Sequence, residues 1–137
     1  MTKGRAMANQ ANGAFDIDTW EDEPFGEQDG VKLSRVRVTK TFHGDVEGRS
    51  AAALVMVGAQ EGSAAYVGLE QVVGSVHGRS GSFVLQHSAT SSRGAQSLSL
   101  SVVPDSGTGE LVGLRGEARI VIGPDGGHSF TLDYDLD

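Results

Sequence analysis

The sequence predicts an all-β protein, an eight-stranded antiparallel barrel, and three observations carry that expectation. Apolar and polar residues alternate with period two in successive runs from residue 14 onward. Glycine-containing punctuation separates the runs, and no segment shows a helical repeat with caps. A meander of that many strands either leaves two edges to protect or curls shut, and closure removes them.

The strands are expected at 14–20, 31–42, 46–57, 64–76, 80–91, 95–103, 115–122 and 128–136. Breaks at 28–30, 43–44, 60–62, 78–79, 93–94 and 123–127 are mostly short enough for hairpins, so neighbours in sequence become neighbours in space. The nearest helical candidate, around 110–114, is one turn at most. The start, MTKGRAMANQANG, is small, polar and without period, so residues 1–13 read as a flexible arm and 14–137 as a single barrel domain.

Hairpin geometry carries the expectation to individual residues. A two-residue turn at Gly78-Arg79 pairs His77 with Ser80 and sets Glu70 opposite His87, an acid and an imidazole within an apolar stripe. In the last hairpin, Gly116, Ala118, Ile120 and Ile122 share a face with Phe130, Leu132 and Tyr134, while Arg115, Glu117 and Arg119 share the other with Thr131, Asp133 and Asp135. A turn at His43-Gly44 pairs Lys40 with Glu47 and Val38 with Arg49. It places Leu33, Arg35 and Arg37 beside Leu54, Ala52 and Ser50, with either face free to be the inner one.

Composition excludes several classes of function. The 137 residues carry 11 Lys+Arg against 18 Asp+Glu, a net charge of −7, which disfavours non-specific binding to nucleic acid or to an anionic membrane. Without cysteine there is no disulfide, thiolate nucleophile or thiolate metal site, as suits a reducing cytoplasm. No apolar run approaches the length of a membrane span, and the first residues lack the apolar stretch of a secretory signal. A cytoplasmic location is the expectation, with no membrane and no nucleic acid among the partners.

The segments 67–74 (VGLEQVVG), 78–88 (GRSGSFVLQHS) and 102–117 (VVPDSGTGELVGLRGE) resemble an uncharacterised bacterial family, domain of unknown function 3224. So do 18–25 (DTWEDEPF), 38–44 (VTKTFHG) and 130–136 (FTLDYDL), so the resemblance spans nearly everything after the arm. That family is similar in fold to allene oxide cyclase and the plant dirigent proteins, which implies a calycin-like barrel of eight antiparallel strands. Relatives of that shape include cyclases, coupling proteins and simple binders, so the resemblance speaks for fold rather than activity. One departure is SLSLS at 97–101, where an aromatic residue is expected on the sixth strand, so a lumen wall or an oligomer contact is altered there.

Glu70 with His87 is the first candidate for catalysis, since a carboxylate bonded to imidazole orients its tautomer and raises its basicity; the pair would equally serve as a self-satisfied wall contact. Tyr66, on the same face, is placed to donate to a ligand oxygen or to act as an ordinary wall aromatic. Phe83, Leu85 and Tyr134 are candidate ligand-lining positions, and Arg35 and Arg37 would hold a carboxylate if their face is inward. The four histidines are scattered, and the acidic run from Asp16 to Glu27 lacks the ligand order of a calcium loop, so neither metal nor cofactor is expected. Gly107-Thr-Gly109 lacks a nucleotide-loop spacing and reads as a turn, and no GxSxG elbow is present.

The expected function is a barrel that takes a small apolar or aromatic molecule in its lumen. Isomerisation or cyclisation would then follow from conformational control and proton transfer. A non-catalytic carrier and a structural homo-oligomer, dimer or trimer, with a filled core are the alternatives. A lumen packed with Phe83, Leu85, Ile120 and Leu132 would speak for the last, and a cavity reaching Glu70 for the others.

Overall fold

Eight strands follow one another around a closed antiparallel barrel: β1 (Asn9–Gln28), β2 (Val31–Gly44), β3 (Val46–Gly58), β4 (Ala64–Val76), β5 (Arg79–Ser92), β6 (Ala95–Val102), β7 (Arg115–Ile122) and β8 (His128–Asp135). The structure is a computed structural model that describes residues 7–136. Among these residues, no helix is long and apolar enough to cross a membrane.

The alternation read from the sequence appears as burial. Phe42, Phe83 and Phe130 point inward at 1 % exposure with Leu85 and Leu132 at 0 %, and each such side chain contributes roughly 1.5–3 kcal/mol of burial. Ring contacts join Phe15, Phe42 and Phe130 at centroid distances of 5.2 Å. The last hairpin holds the expected register, with Gly116 opposite Tyr134, Ala118 opposite Leu132 and Ile120 opposite Phe130. Its outer face carries the expected charges, Arg119 reaching Asp133 at 3.1 Å.

The two ends of the barrel differ. Between β6 and β7, residues 103–114 cross one end and include a single 3₁₀ turn, Gly109–Leu111, the one-turn element expected there. Val103 N–H and Thr108 N–H donate to the carbonyls of Val84 and Ser82, and Ser106 Oγ accepts from Val84 N–H, so this segment continues the ladder along β5. Leu111 and Leu114 drop into the core at 0 and 1 % exposure and plug that end. Gly81 and Gly107 permit it, since a Cβ on either would collide with the carbonyl of Thr108 or Leu111. The opposite end is left open.

β1 is much longer than expected, for two reasons. Residues 9–13, expected as part of a flexible arm, pair with β8 from Asn9↔Tyr134 to Gly13↔Phe130 and close the barrel. Their small residues hide the strand signal: Ala11 is wholly buried, and a Cβ on Gly13 would meet the carbonyl oxygen of His43 at 2.5 Å. Residues 1–6 of that arm lie outside the described residues. Farther along, register shifts at Ile17/Thr19 and Pro24/Gly26 reset the alternation, so the pattern that seems to stop at Trp20 continues to Gln28.

Two hairpin registers depart from expectation. The β4–β5 turn is His77-Gly78, with φ of 47° and 79°, the two positive values of a type I′ turn. Every pair therefore shifts by two, putting Gly68 opposite His87 and Glu70 opposite Leu85. A shift of two preserves the face, so Glu70 and His87 still point inward together. The β2–β3 connection is longer than two residues, aided by Gly44 and Gly48 at φ of 113° and 139°. Lys40 pairs with Ser50 and Val38 with Ala52, an odd shift that exchanges faces. Val36, Val38, Lys40 and Ser50 turn inward and are buried, while Arg35 and Arg37 turn out.

Candidate functional site

The open half of the barrel encloses a cavity of about 410 Å³, walled chiefly by Phe15, Ile17, Trp20, Leu54, Met56, Leu98 and Ile122. That volume lies within the range of small-molecule sites. Its polar lining includes Lys40, Tyr66 and His87, contributed by β2, β4 and β5. The packed aromatic core of the plugged half lies beneath them.

Behind this floor sits Glu70, 1 % exposed and fully partnered. His87 Nε2 lies 2.7 Å and Lys40 Nζ 3.2 Å from its Oε1, and Ser50 Oγ donates to its Oε2 at 2.5 Å. Burial pushes the Glu70 carboxyl up; the His87 hydrogen bond, the Lys40 ammonium, the Ser50 hydroxyl and the nearby imidazole outweigh it and hold the pKa at about 2. Glu70 is therefore a fixed anion at neutral pH. The Lys40 ammonium also lies 4.4 Å from the centroid of the Phe15 ring, so the ion pair is enclosed by apolar surface on the cavity side.

A fixed anion calls for a proton on the histidine nitrogen that faces it. His87 Nε2–H therefore donates to Glu70, and the Tyr66 hydroxyl lies 3.4 Å from His87 Nδ1. Burial, reinforced by the negative charge of Glu70, raises the Tyr66 phenol above its ordinary value and keeps it protonated. The chain Glu70, His87, Tyr66 thus runs from a buried carboxylate to a hydroxyl at the cavity surface. It joins a proton acceptor to a proton donor at one wall.

Several sequence-derived candidates lie elsewhere. Phe83 and Leu85 are core residues at 1 and 0 % exposure, beneath the cavity rather than on its lining. Tyr134, 4 % exposed, belongs to the plugged half, where its hydroxyl meets His77 Nδ1 at 2.5 Å. Arg35 faces solvent beside Glu23 at 3.8 Å and over the Phe25 ring at 4.5 Å, and Arg37 is also exposed, so neither reaches Glu70. Of the four residues expected to fill a solid lumen, Phe83, Leu85 and Leu132 are packed, whereas Ile120 lines the cavity. The barrel is solid at one end and hollow at the other.

Lys40 and Ser50 are the partners of Glu70 that sequence reasoning missed. Their signal was parity: with the inner face of β2 left open, choosing it by its valines, Val36 and Val38, would have brought Lys40 inside with them. Among the described residues, no three His, Asp or Glu side chains converge as a metal-binding group.

Comparison with known proteins bears on this architecture. Residues 11–134 match the family described as "Protein of unknown function (DUF3224)". The chain is similar, at 39 % identity and a TM-score of 0.82, to a crystal structure of a protein of unknown function from that family in Shewanella oneidensis MR-1, with 94 % of this chain and 98 % of that one covered. No curated protein matches the chain.

Proposed function

This chain belongs to the DUF3224 family, and from that premise we propose that it binds a small apolar or aromatic molecule in the open half of its barrel and moves a proton on it. The observation that carries the reading is the Glu70–His87–Tyr66 chain ending at an apolar cavity of about 410 Å³. Apolar walls supply affinity and a preferred conformation, while the polar floor fixes which end of the ligand faces it.

In this reading each side chain has one task. Glu70 stays anionic and holds the imidazole, His87 Nδ1 takes a proton from the ligand, and the Tyr66 hydroxyl donates to a ligand oxygen nearby. Lys40 neutralises Glu70 so that the floor carries no net charge with a neutral imidazole. Taking a proton at one atom and returning it at another is an isomerisation, and a cyclisation needs only that the bound chain be held folded. No nucleophile is required.

The test is turnover of a panel of polyenes, epoxides and enolisable ketones by the wild type and by His87→Ala, Glu70→Gln and Tyr66→Phe. Loss of a factor of about 100 or more in the His87 variant fits general-base catalysis; equal rates in all four proteins remove the catalytic assignment. Binding without product in every case supports a carrier using the same cavity. An oligomer, dimer or trimer, draws on a separate observation: Val55, Val67, Leu69 and Val73 lie on the outer face of β3 and β4, exposed by 45–58 %. Light scattering of wild type and Leu69→Asp tests it, with a drop in mass expected and a monomeric wild type overturning it.

A further inference from the structure

Between β6 and β7 the barrel wall parts. The strands share one bridge, Ser101↔Glu117, although β6 is paired with β5 and β7 with β8 along their whole lengths. Beyond that bridge, toward the open end, Gln96 and Leu98 form one lip and Ile120 and Ile122 the other, and all four line the cavity. Leu98 and Ile122 are 43 and 67 % exposed, so along this thinly bonded seam the apolar lining reaches solvent. An apolar passage from a closed floor to solvent suits a molecule longer than the cavity.

Charge narrows the chemistry further. Lys40 alone among the cavity-lining residues carries a permanent positive charge, and it is already paired with Glu70 at 3.2 Å. Near the mouth, β1 sets Asp16, Asp18, Glu21 and Asp22 around Ile17 and Trp20, with Arg37 of β2 opposite Glu21 and His43 3.2 Å from Asp16, and none of these basic residues lines the cavity. A ligand carboxylate would lose its water inside the cavity without gaining a free cation there, at a cost in affinity. A carbonyl or hydroxyl oxygen meets no such penalty and finds the Tyr66 hydroxyl.

We infer that the ligand is an uncharged amphiphile, a ketone, aldehyde or alcohol on an extended hydrocarbon chain, with its oxygen against Tyr66 and His87 and its chain leaving between β6 and β7. This rests on the ligand-binding reading above. It concerns which molecule binds and how it lies, and it stands whether or not catalysis follows.

Calorimetric titration with 2-heptanone, 2-tridecanone and tetradecanoate tests it. The expected result is that 2-tridecanone binds at least tenfold tighter than 2-heptanone and at least tenfold tighter than tetradecanoate. Because the chain lacks cysteine, a Ser99→Cys/Arg119→Cys variant, the next outward pair of the register beyond Ser101↔Glu117, offers a clean lock for the parting. When oxidised it should lose the long-chain advantage while binding 2-heptanone as before, and reduction should restore it. Leu98→Trp, which fills the lip without a crosslink, should give the same loss.

Tetradecanoate binding as tightly as 2-tridecanone, or a long-chain advantage that survives both variants, overturns the inference. If 2-heptanone binds and added length brings no gain, the passage is wrong and the cavity stands. If no ketone binds, the ligand-binding reading itself fails and takes the inference with it.

Discussion

Two chains of acid, histidine and tyrosine stand at opposite ends of this barrel, joined in the same order. At the open end Glu70 meets His87 Nε2 and Tyr66 meets Nδ1; at the plugged end Asp45 lies 3.5 Å from His77 Nε2 and Tyr134 meets Nδ1. Their burial runs in opposite directions. Glu70 is 1 % exposed and its tyrosine lines a cavity, whereas the Asp45 side chain is 45 % exposed and Tyr134 is 4 % exposed. Asp45 also accepts the Asn12 N–H at 2.9 Å, so the second chain ties β1, the β2–β3 connection, the β4–β5 turn and β8 together. One chain presents its hydroxyl to a space a ligand can enter, and the other hides its hydroxyl and works as a clasp. Residue types alone do not make a site; what they face does.

The comparison breaks first, and with the largest effect, at the two acids. Glu70→Gln leaves Lys40 buried beside a neutral amide and should cost about 3–5 kcal/mol in urea unfolding, while Asp45→Asn should cost about 1 kcal/mol or less. Lys40→Met with Glu70→Gln should recover much of the first loss, since the pair is then removed together. Equal costs at the two ends would erase the distinction.

Acid should separate them next. The folded value of Glu70 is about 2 against an ordinary 4.5, so its contribution, on the order of 3 kcal/mol, is complete above about pH 4.5 and is lost as the pH falls toward 2. Wild type should therefore lose stability across that window more steeply than Glu70→Gln, as read from unfolding free energies at successive pH values. Parallel curves would contradict the assignment.

The tyrosines reverse the order. Burial raises the Tyr134 phenol, with Arg79 opposing and Asp45 reinforcing the shift, and Tyr134→Phe strands His77 Nδ1 and should cost about 1 kcal/mol of stability. Tyr66→Phe should leave the melting temperature nearly unchanged and weaken ketone binding several-fold instead. Smallest of all, Arg35→Ala and Arg37→Ala should stay within about 0.5 kcal/mol of wild type and leave binding unaltered, because both side chains face solvent. A binding loss from either would put their strand face in question.

Period-two alternation made the barrel legible, and the separation of charged from apolar residues in the last hairpin fixed its register. The Glu70–His87 contact survived a misplaced turn because the error was even: side chains keep their face when a register slips by two. Lys40 was missed because the inner face of β2 was left open and the odd β2–β3 error set it opposite Glu47 instead of Ser50. Turn length set both outcomes, and it depends on φ at Gly44, Gly48, His77 and Gly78, which no alternation pattern records. The hollow end was equally hidden, since Ile120 and Leu132 share one face and differ only in which half of the barrel they occupy. Residues 9–13 escaped because Asn-Gln-Ala-Asn-Gly, which turns only Ala11 and Gly13 toward its neighbours, has no apolar signature.

The central claim is that the Glu70 end, and not the Asp45 end, faces a ligand. Ring ¹⁵N spectra of the histidines during titration with 2-tridecanone test it most directly. His87 should start as the Nε2–H tautomer and shift on binding, with His77 unmoved. Perturbation of His77 alone, or a His87 ring protonated on Nδ1 and indifferent to the ketone, would contradict the account.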